Sequence, residues 1–95
     1  MAKGRITKRT VDAMAPASVD AYLWDRELAG FGLKVSPAGR KTYLVQYRLG
    51  GRGGRIRRYN IGPHGAPLTA EEARREAALV LTEVRAGRDP AGKRL

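Results

Sequence analysis

The sequence predicts an α+β domain in which an antiparallel β-sheet is covered on one face by a C-terminal α-helix and preceded by a short N-terminal helix. Three observations predict it. Runs of alternating apolar and polar residues recur at 31–36, 41–49 and 55–61. Tight-turn sequences, Pro37-Ala38-Gly39 and Gly50-Gly51-Arg52-Gly53-Gly54, separate those runs. A helical stripe of Ala73, Ala77, Val80, Leu81 and Val84 follows them. At 95 residues the chain has room for one domain with a thin core.

The N-terminal helix spans about 6–14, with Thr7 as its N-cap and with Val11 and Met14, three apart, on one face. Pro16 stops it. Tyr22-Leu23-Trp24-Asp25 reads either as a short fourth strand or as an extended lead-in. In the next strand Phe31, Leu33 and Val35 share one face. In the following one Tyr43, Val45, Tyr47 and Leu49 do so, and in the last Tyr59 and Ile61. Short turns make the three strands antiparallel, so their apolar faces coincide.

The long helix opens on Thr69-Ala70-Glu71-Glu72, a capping box in which Thr69 accepts from the Glu72 amide and Glu72 reaches back; Leu68 is placed to staple onto Ala73. Gly87 and Pro90 end it. Glu71 and Glu72 complement the helix dipole. Leu79 lies off the apolar stripe and reads as an exposed leucine or a contact with a following domain. Residues 1–88 form the domain in this reading, and 89–95 open a linker to domains that lie beyond this chain.

Charge supplies the functional signal. Lys34, Arg40, Lys41, Arg48, Arg52, Arg55, Arg57 and Arg58 fall between residues 34 and 60 with no Asp or Glu among them, and carry +8 of a formal net charge of +10. Basicity concentrated on a few strands predicts a partner with a regular array of negative charge, most commonly nucleic acid. With the apolar face turned to the helix, Lys34, Thr42, Leu44, Gln46, Arg48, Arg58 and Asn60 face outward. Arg48 and Arg58 suit guanine, Gln46 and Asn60 suit adenine, and Leu44 suits a thymine methyl. The turn residues Arg40, Lys41, Arg52 and Arg55 suit phosphates. The loop glycines either admit a phosphate to the backbone or simply make a flexible hairpin loop.

Other classes fit less well. His64 stands alone in its connector, with no thiol, carboxylate pair or metal-ligand spacing near it, so neither catalysis nor a cofactor is expected, and His64 reads as a turn residue or an incidental groove contact. No cysteine, signal-peptide core or apolar run of membrane-spanning length is present, so a soluble cytoplasmic protein without small-molecule or membrane partners is expected. A double-stranded RNA-binding domain shares this order of elements, but it needs basic residues where Glu71 and Glu72 stand. A protein-interaction module docking on an acidic partner is the other alternative.

The order of Ala29-Gly30-Phe31-Gly32-Leu33-Lys34-Val35-Ser36-Pro37-Ala38-Gly39-Arg40-Lys41-Thr42-Tyr43, Tyr47-Arg48, Tyr59-Asn60-Ile61-Gly62-Pro63, Leu68-Thr69-Ala70-Glu71-Glu72-Ala73-Arg74 and Gly87-Arg88-Asp89-Pro90 resembles the N-terminal arm-type DNA-binding domain of phage and genomic-island integrases of the tyrosine recombinase family. The resemblance implies double-stranded DNA as partner, arm sites read by the sheet in the major groove, and core-binding and catalytic domains downstream. Carried onto this chain, it matches Leu44, Gln46, Arg48, Arg58 and Asn60 to the outward positions and Tyr43 to an inward aromatic. Relatives often place Arg or other long polar groups at Leu44 and Gln46, which implies a less guanine-rich site or weaker binding through that strand.

Overall fold

The computed structural model describes residues 2–49, 54–65 and 68–90. Five strands and two helices run in the order β1 (Ala2–Gly4), α1 (Lys8–Ala13), β2 (Ala21–Asp25), β3 (Phe31–Val35), β4 (Lys41–Leu49), β5 (Arg55–Pro63) and α2 (Ala70–Arg85). The strands form one sheet in chain order, with β2 to β5 antiparallel and β1 parallel to β2 at the edge. Residues 21–25 are thus a strand and not a lead-in. The three-residue β1 has no sequence signal of its own, being too short to show alternation.

Glycines set how closely these strands approach. Gly30 has φ 95°, and a Cβ there would sit 2.4 Å from the Gln46 carbonyl oxygen. The Gly30 carbonyl in turn accepts from the Gln46 amide at 2.8 Å. At the 37–39 turn, Gly39 takes φ 88°, while Ser36 and Arg40 close the loop through the Ser36 amide at 2.9 Å. Between Tyr43 and Leu44 the β4–β5 register slips: Tyr43 faces Gly62 and Leu44 faces Asn60, leaving Ile61 as the extra residue of a bulge. The bulge extends β5 two residues past the expected end.

The core lies between the sheet and the helices. Phe31, Leu33, Val35, Tyr43, Val45 and Tyr47 present one face, onto which α2 buries Ala70, Ala73, Ala77 and Val80. Ala at three of those four positions lets the helix axis approach β4 and β5 closely. Leu81 and Val84 are partly buried beside it, and Leu79 is exposed. Val11 of α1 is fully buried and Met14 partly so, as their spacing predicts. Thr7 caps α1 and Thr69 caps α2, the latter accepting from the Glu72 amide at 3.2 Å. Glu72 pairs with Arg75 at 2.5 Å, one turn along, in place of the expected reach back to the cap.

Two polar ties join distant segments. Asp25 is 3% exposed and accepts from the amides of Ile6, Glu27 and Leu28 and from both Nη atoms of Arg74. Burial raises its pKa, but the Arg74 guanidinium and the Ile6 and Leu28 amides outweigh it and hold the carboxyl down at about 2. At the other end, Asp89 accepts from the Tyr47 hydroxyl and lies 3.3 Å from Arg57 Nε, and Pro90 is buried. The packed unit therefore runs at least to Pro90, past the point where the sequence reads as linker.

Candidate nucleic-acid interface

The sheet face turned away from α2 is built row by row by the register. One row carries Tyr22, Lys34 and Thr42, and the next Trp24, Gly32, Leu44 and Asn60. Gln46 pairs with Arg58, and Arg48 with Ile56 beyond them. All seven residues expected to face outward are brought together here, for the reason the alternation gives: each has the parity opposite to the buried Tyr43, Val45 and Tyr47. Arg48, Arg58 and Asn60 are exposed, and Lys34, Thr42 and Gln46 are half-buried. Lys34 lies 3.6 Å from Asp20, an exposed pair worth little in energy.

Leu44 departs from expectation. It stands on the outer face yet is 1% exposed. Trp24 lies across Gly32, so close that a Cβ there would be 2.6 Å from the indole. Tyr22 stacks on Trp24, with centroids 5.7 Å apart and planes 5° from parallel. Arg58 reaches over from β5, places its Cζ 4.9 Å from the Tyr22 ring centroid, and donates from Nη1 to the Tyr22 hydroxyl at 2.9 Å. Its Nε donates to Gln46 Oε1 at 3.1 Å. Leu44 sits in the row between Gly32 and Asn60 and is buried there, so it has no free surface to offer a thymine methyl. Tyr22 and Trp24 belong to this face and were missed by sequence reasoning, although aromatics two apart beside a basic strand are a signal for it. Ile56, 53% exposed on the same face, is another.

The residues expected at phosphates divide. Arg40 and Arg55 are exposed, and their side chains make no ion pair among the described residues. Arg52 lies outside the described residues, as do Gly50, Gly51 and Gly53. Lys41 has been misplaced. It shares the parity of Tyr43, so it stands on the helix side, where its Nζ donates to the Val11 carbonyl at 2.6 Å and closes the end of α1. Arg55 and Arg57 have the same parity; Arg55 is exposed near the end of the strand, and Arg57 is taken by Asp89.

His64 is tied into the opposite side of the molecule. Its Nδ1 is 2.7 Å from the Tyr43 hydroxyl, and its Nε2 is 3.7 Å from Asp12 of α1. Burial, with the Asp12 charge adding to it, pushes the Tyr43 hydroxyl up to about 12. The carboxylate that the sequence could not place beside His64 is thus supplied by α1, and the trio fastens that helix to the sheet. A cleft of about 710 Å³ opens nearby between Thr7, Arg74 and Thr69. Among the described residues there is no cluster of three or more His, Asp or Glu that could hold a metal ion. Nor is any helix among them long and apolar enough to cross a membrane.

What the outer face offers is a shallow sheet surface bearing guanidinium and amide groups, rimmed by Arg40 and floored by stacked aromatics. That combination suits a polyanion with hydrogen-bonding edges. Comparison with protein families matches residues 6–95 to the family described as "Arm DNA-binding domain". Comparison with curated proteins gave no match.

Proposed function

Because the chain belongs to the arm DNA-binding domain family, the non-catalytic DNA-binding modules of integrases, we propose that its outer sheet face enters the major groove of arm-type sites and reads their sequence. The observation that carries this reading is the one-sided placement of Gln46, Arg48, Arg58 and Asn60 on adjacent rows of β4 and β5, opposite the helix. A major groove about 12 Å wide admits a narrow β-sheet, and these side-chain types match base edges. Arg40 lies outside those rows and suits a phosphate wall, with Arg52 and Arg55 assigned to the same role from the sequence.

The parent protein, in this reading, is a tyrosine recombinase of a phage or genomic island, acting in the bacterial cytoplasm. This domain grips an arm site while later domains grip the core site and cut. The chain beyond Pro90 then makes the second contact intramolecular, at a high effective concentration. Other integrase subunits are the protein partners that this arrangement implies.

The test starts by selecting duplexes from a random library with the wild-type domain, then measures binding to the selected and to a random duplex by fluorescence anisotropy. Arg48→Ala is expected to weaken the selected duplex by about tenfold more than the random one, the size of one good base contact. Arg40→Ala should weaken both alike. Equal losses from both substitutions on both duplexes would show that this face holds phosphates and reads no bases.

A further inference from the structure

Resting on the reading of the outer face as a base-reading surface, we infer that Tyr22, Gln46 and Arg58 act as one unit that holds the guanidinium fork towards the bases and so selects guanine. The geometry begins with Gln46. Arg58 Nε is a donor, so the Gln46 atom it meets at 3.1 Å is the amide oxygen on chemical grounds alone. One of the two lone pairs of that oxygen is therefore engaged, and the bond fixes the plane of the Gln46 amide. An adenine edge offers an acceptor at N7 and a donor at N6, and a glutamine reads it with both its oxygen and its nitrogen. Gln46 tied to Arg58 is no longer free to turn both groups onto that edge.

Arg58 is arranged to the same end. Of its five N–H donors, the one on Nε goes to Gln46 and one on Nη1 goes to the Tyr22 hydroxyl at 2.9 Å. The Tyr22 ring, 4.9 Å from Cζ, holds the cation as well. The remaining hydrogens on Nη1 and Nη2 point from the fork end of an exposed guanidinium. Guanine presents two acceptors, N7 and O6, side by side in the major groove, and a guanidinium fork matches both. Arginine otherwise gives up rotamer freedom when it docks. Here three groups from two other strands have fixed it before DNA arrives.

Tyr22 is itself fixed. It stacks on Trp24, and Trp24 lies across Gly32, where a Cβ would come within 2.6 Å of the indole. Tyr22 and Trp24 are thus positioning residues, acting on bases through Arg58. The proposal reverses the expectation that Gln46 reads adenine.

Selection from a random duplex library, repeated with wild type, Tyr22→Phe, Gln46→Ala and Arg58→Ala, tests it. The position read by the unit is the one whose preference disappears in Arg58→Ala. In wild type that position should be guanine, and Tyr22→Phe, which keeps the ring and removes only the hydroxyl, should cut its preference over adenine by roughly three- to tenfold. Tyr22→Phe should add nothing in the Arg58→Ala background. Without DNA, the Arg58 Nε–H resonance should show the ring-current shift of Tyr22 and lose it in Tyr22→Leu, which checks the placement in a folded domain independently of binding. Adenine at the assigned position, or a guanine preference untouched by Tyr22→Phe, would overturn the unit and leave base reading standing. If no position loses its preference in Arg58→Ala, the base-reading role of Arg58 is overturned and the inference with it.

Discussion

Arg74 sets both of its Nη atoms on the carboxylate of Asp25, at 2.6 and 2.9 Å, across 49 residues of chain. The same guanidinium donates to the Ile6 carbonyl at 3.1 Å and lies over the Phe31 ring. One residue of α2 therefore holds β2, β3 and the segment entering α1. Arg74→Met should destabilise the domain by about 3 kcal/mol, because it leaves a buried carboxylate with amide donors alone. Urea unfolding followed by circular dichroism measures this, and a change under about 1 kcal/mol would remove the pair from any central role.

The acid limb of stability follows from the same pair. The Asp25 carboxyl is held at about 2 against an ordinary 3.8, so its contribution is fully present above pH 3.8 and is lost as the pH falls towards 2. That contribution is about 2 kcal/mol, since each tenfold change in proton affinity is worth roughly 1.4 kcal/mol. Asp25→Asn should flatten the pH dependence in that window. An unchanged slope would mean that another carboxylate controls acid unfolding.

Tyr43 governs the alkaline limb with the opposite sign. Its hydroxyl is raised from 10 to about 12, so the stability it lends is intact below pH 10 and declines as the pH climbs through 12. Tyr43→Phe should lower stability by about 1 kcal/mol at pH 7, since it leaves the His64 nitrogen without its partner. It should also make the domain less sensitive between pH 10 and 12. Thermal melts across that range supply the comparison.

The three glycines around β3 should rank by what a methyl group meets. Gly30→Ala puts a Cβ against backbone oxygen of Gln46 with φ at 95°, so that neither side can yield, and it should cost several kcal/mol. Gly32→Ala meets the Trp24 ring at 2.6 Å, which can move, and the Leu23 carbonyl oxygen only at 3.4 Å, and should cost less. Gly39→Ala meets open space and should lose only about 1 kcal/mol for its φ of 88°. Chemical denaturation of the three variants gives the order, and a Gly39 variant as unstable as the Gly30 one would contradict it.

Lys41 and Arg40 are neighbours with different duties. Lys41→Ala should loosen α1, whose last turn it closes at Val11, and leave the salt dependence of DNA binding unchanged. Arg40→Ala should leave stability within about 0.5 kcal/mol and reduce the log–log salt slope by about 0.9. Hydrogen exchange of the α1 amides and a salt titration of binding separate the two.

Much of this was legible in the chain because it is local. Alternation placed β3, β4 and the start of β5, the Thr caps placed both helices, and parity alone put Gln46, Arg48 and Arg58 on one face. Parity also contains the correction for Lys41, which matches Tyr43 and not Thr42; charge in a turn obscured it. The long-range ties were not legible. Nothing near Asp25 points to Arg74, nothing near His64 points to Asp12, and nothing beside Leu44 in sequence points to its burial on the outer face. Such contacts depend on how the strands lie side by side, and that order has no local pattern. The parallel strand β1 escaped for the same reason, since three residues acquire meaning only beside Leu23 and Trp24.

The strands lie in the sheet in the order in which the chain makes them. From β2 onward each strand needs only a short turn to find the one before it, so the ribbon can zip progressively with little loss of loop-closure entropy. The expensive step is reserved for the end, when Arg74 must find Asp25 and Asp89 must find Tyr47. Folding kinetics should therefore show early protection of the β4–β5 amides, with α2 docking as the late, rate-limiting event.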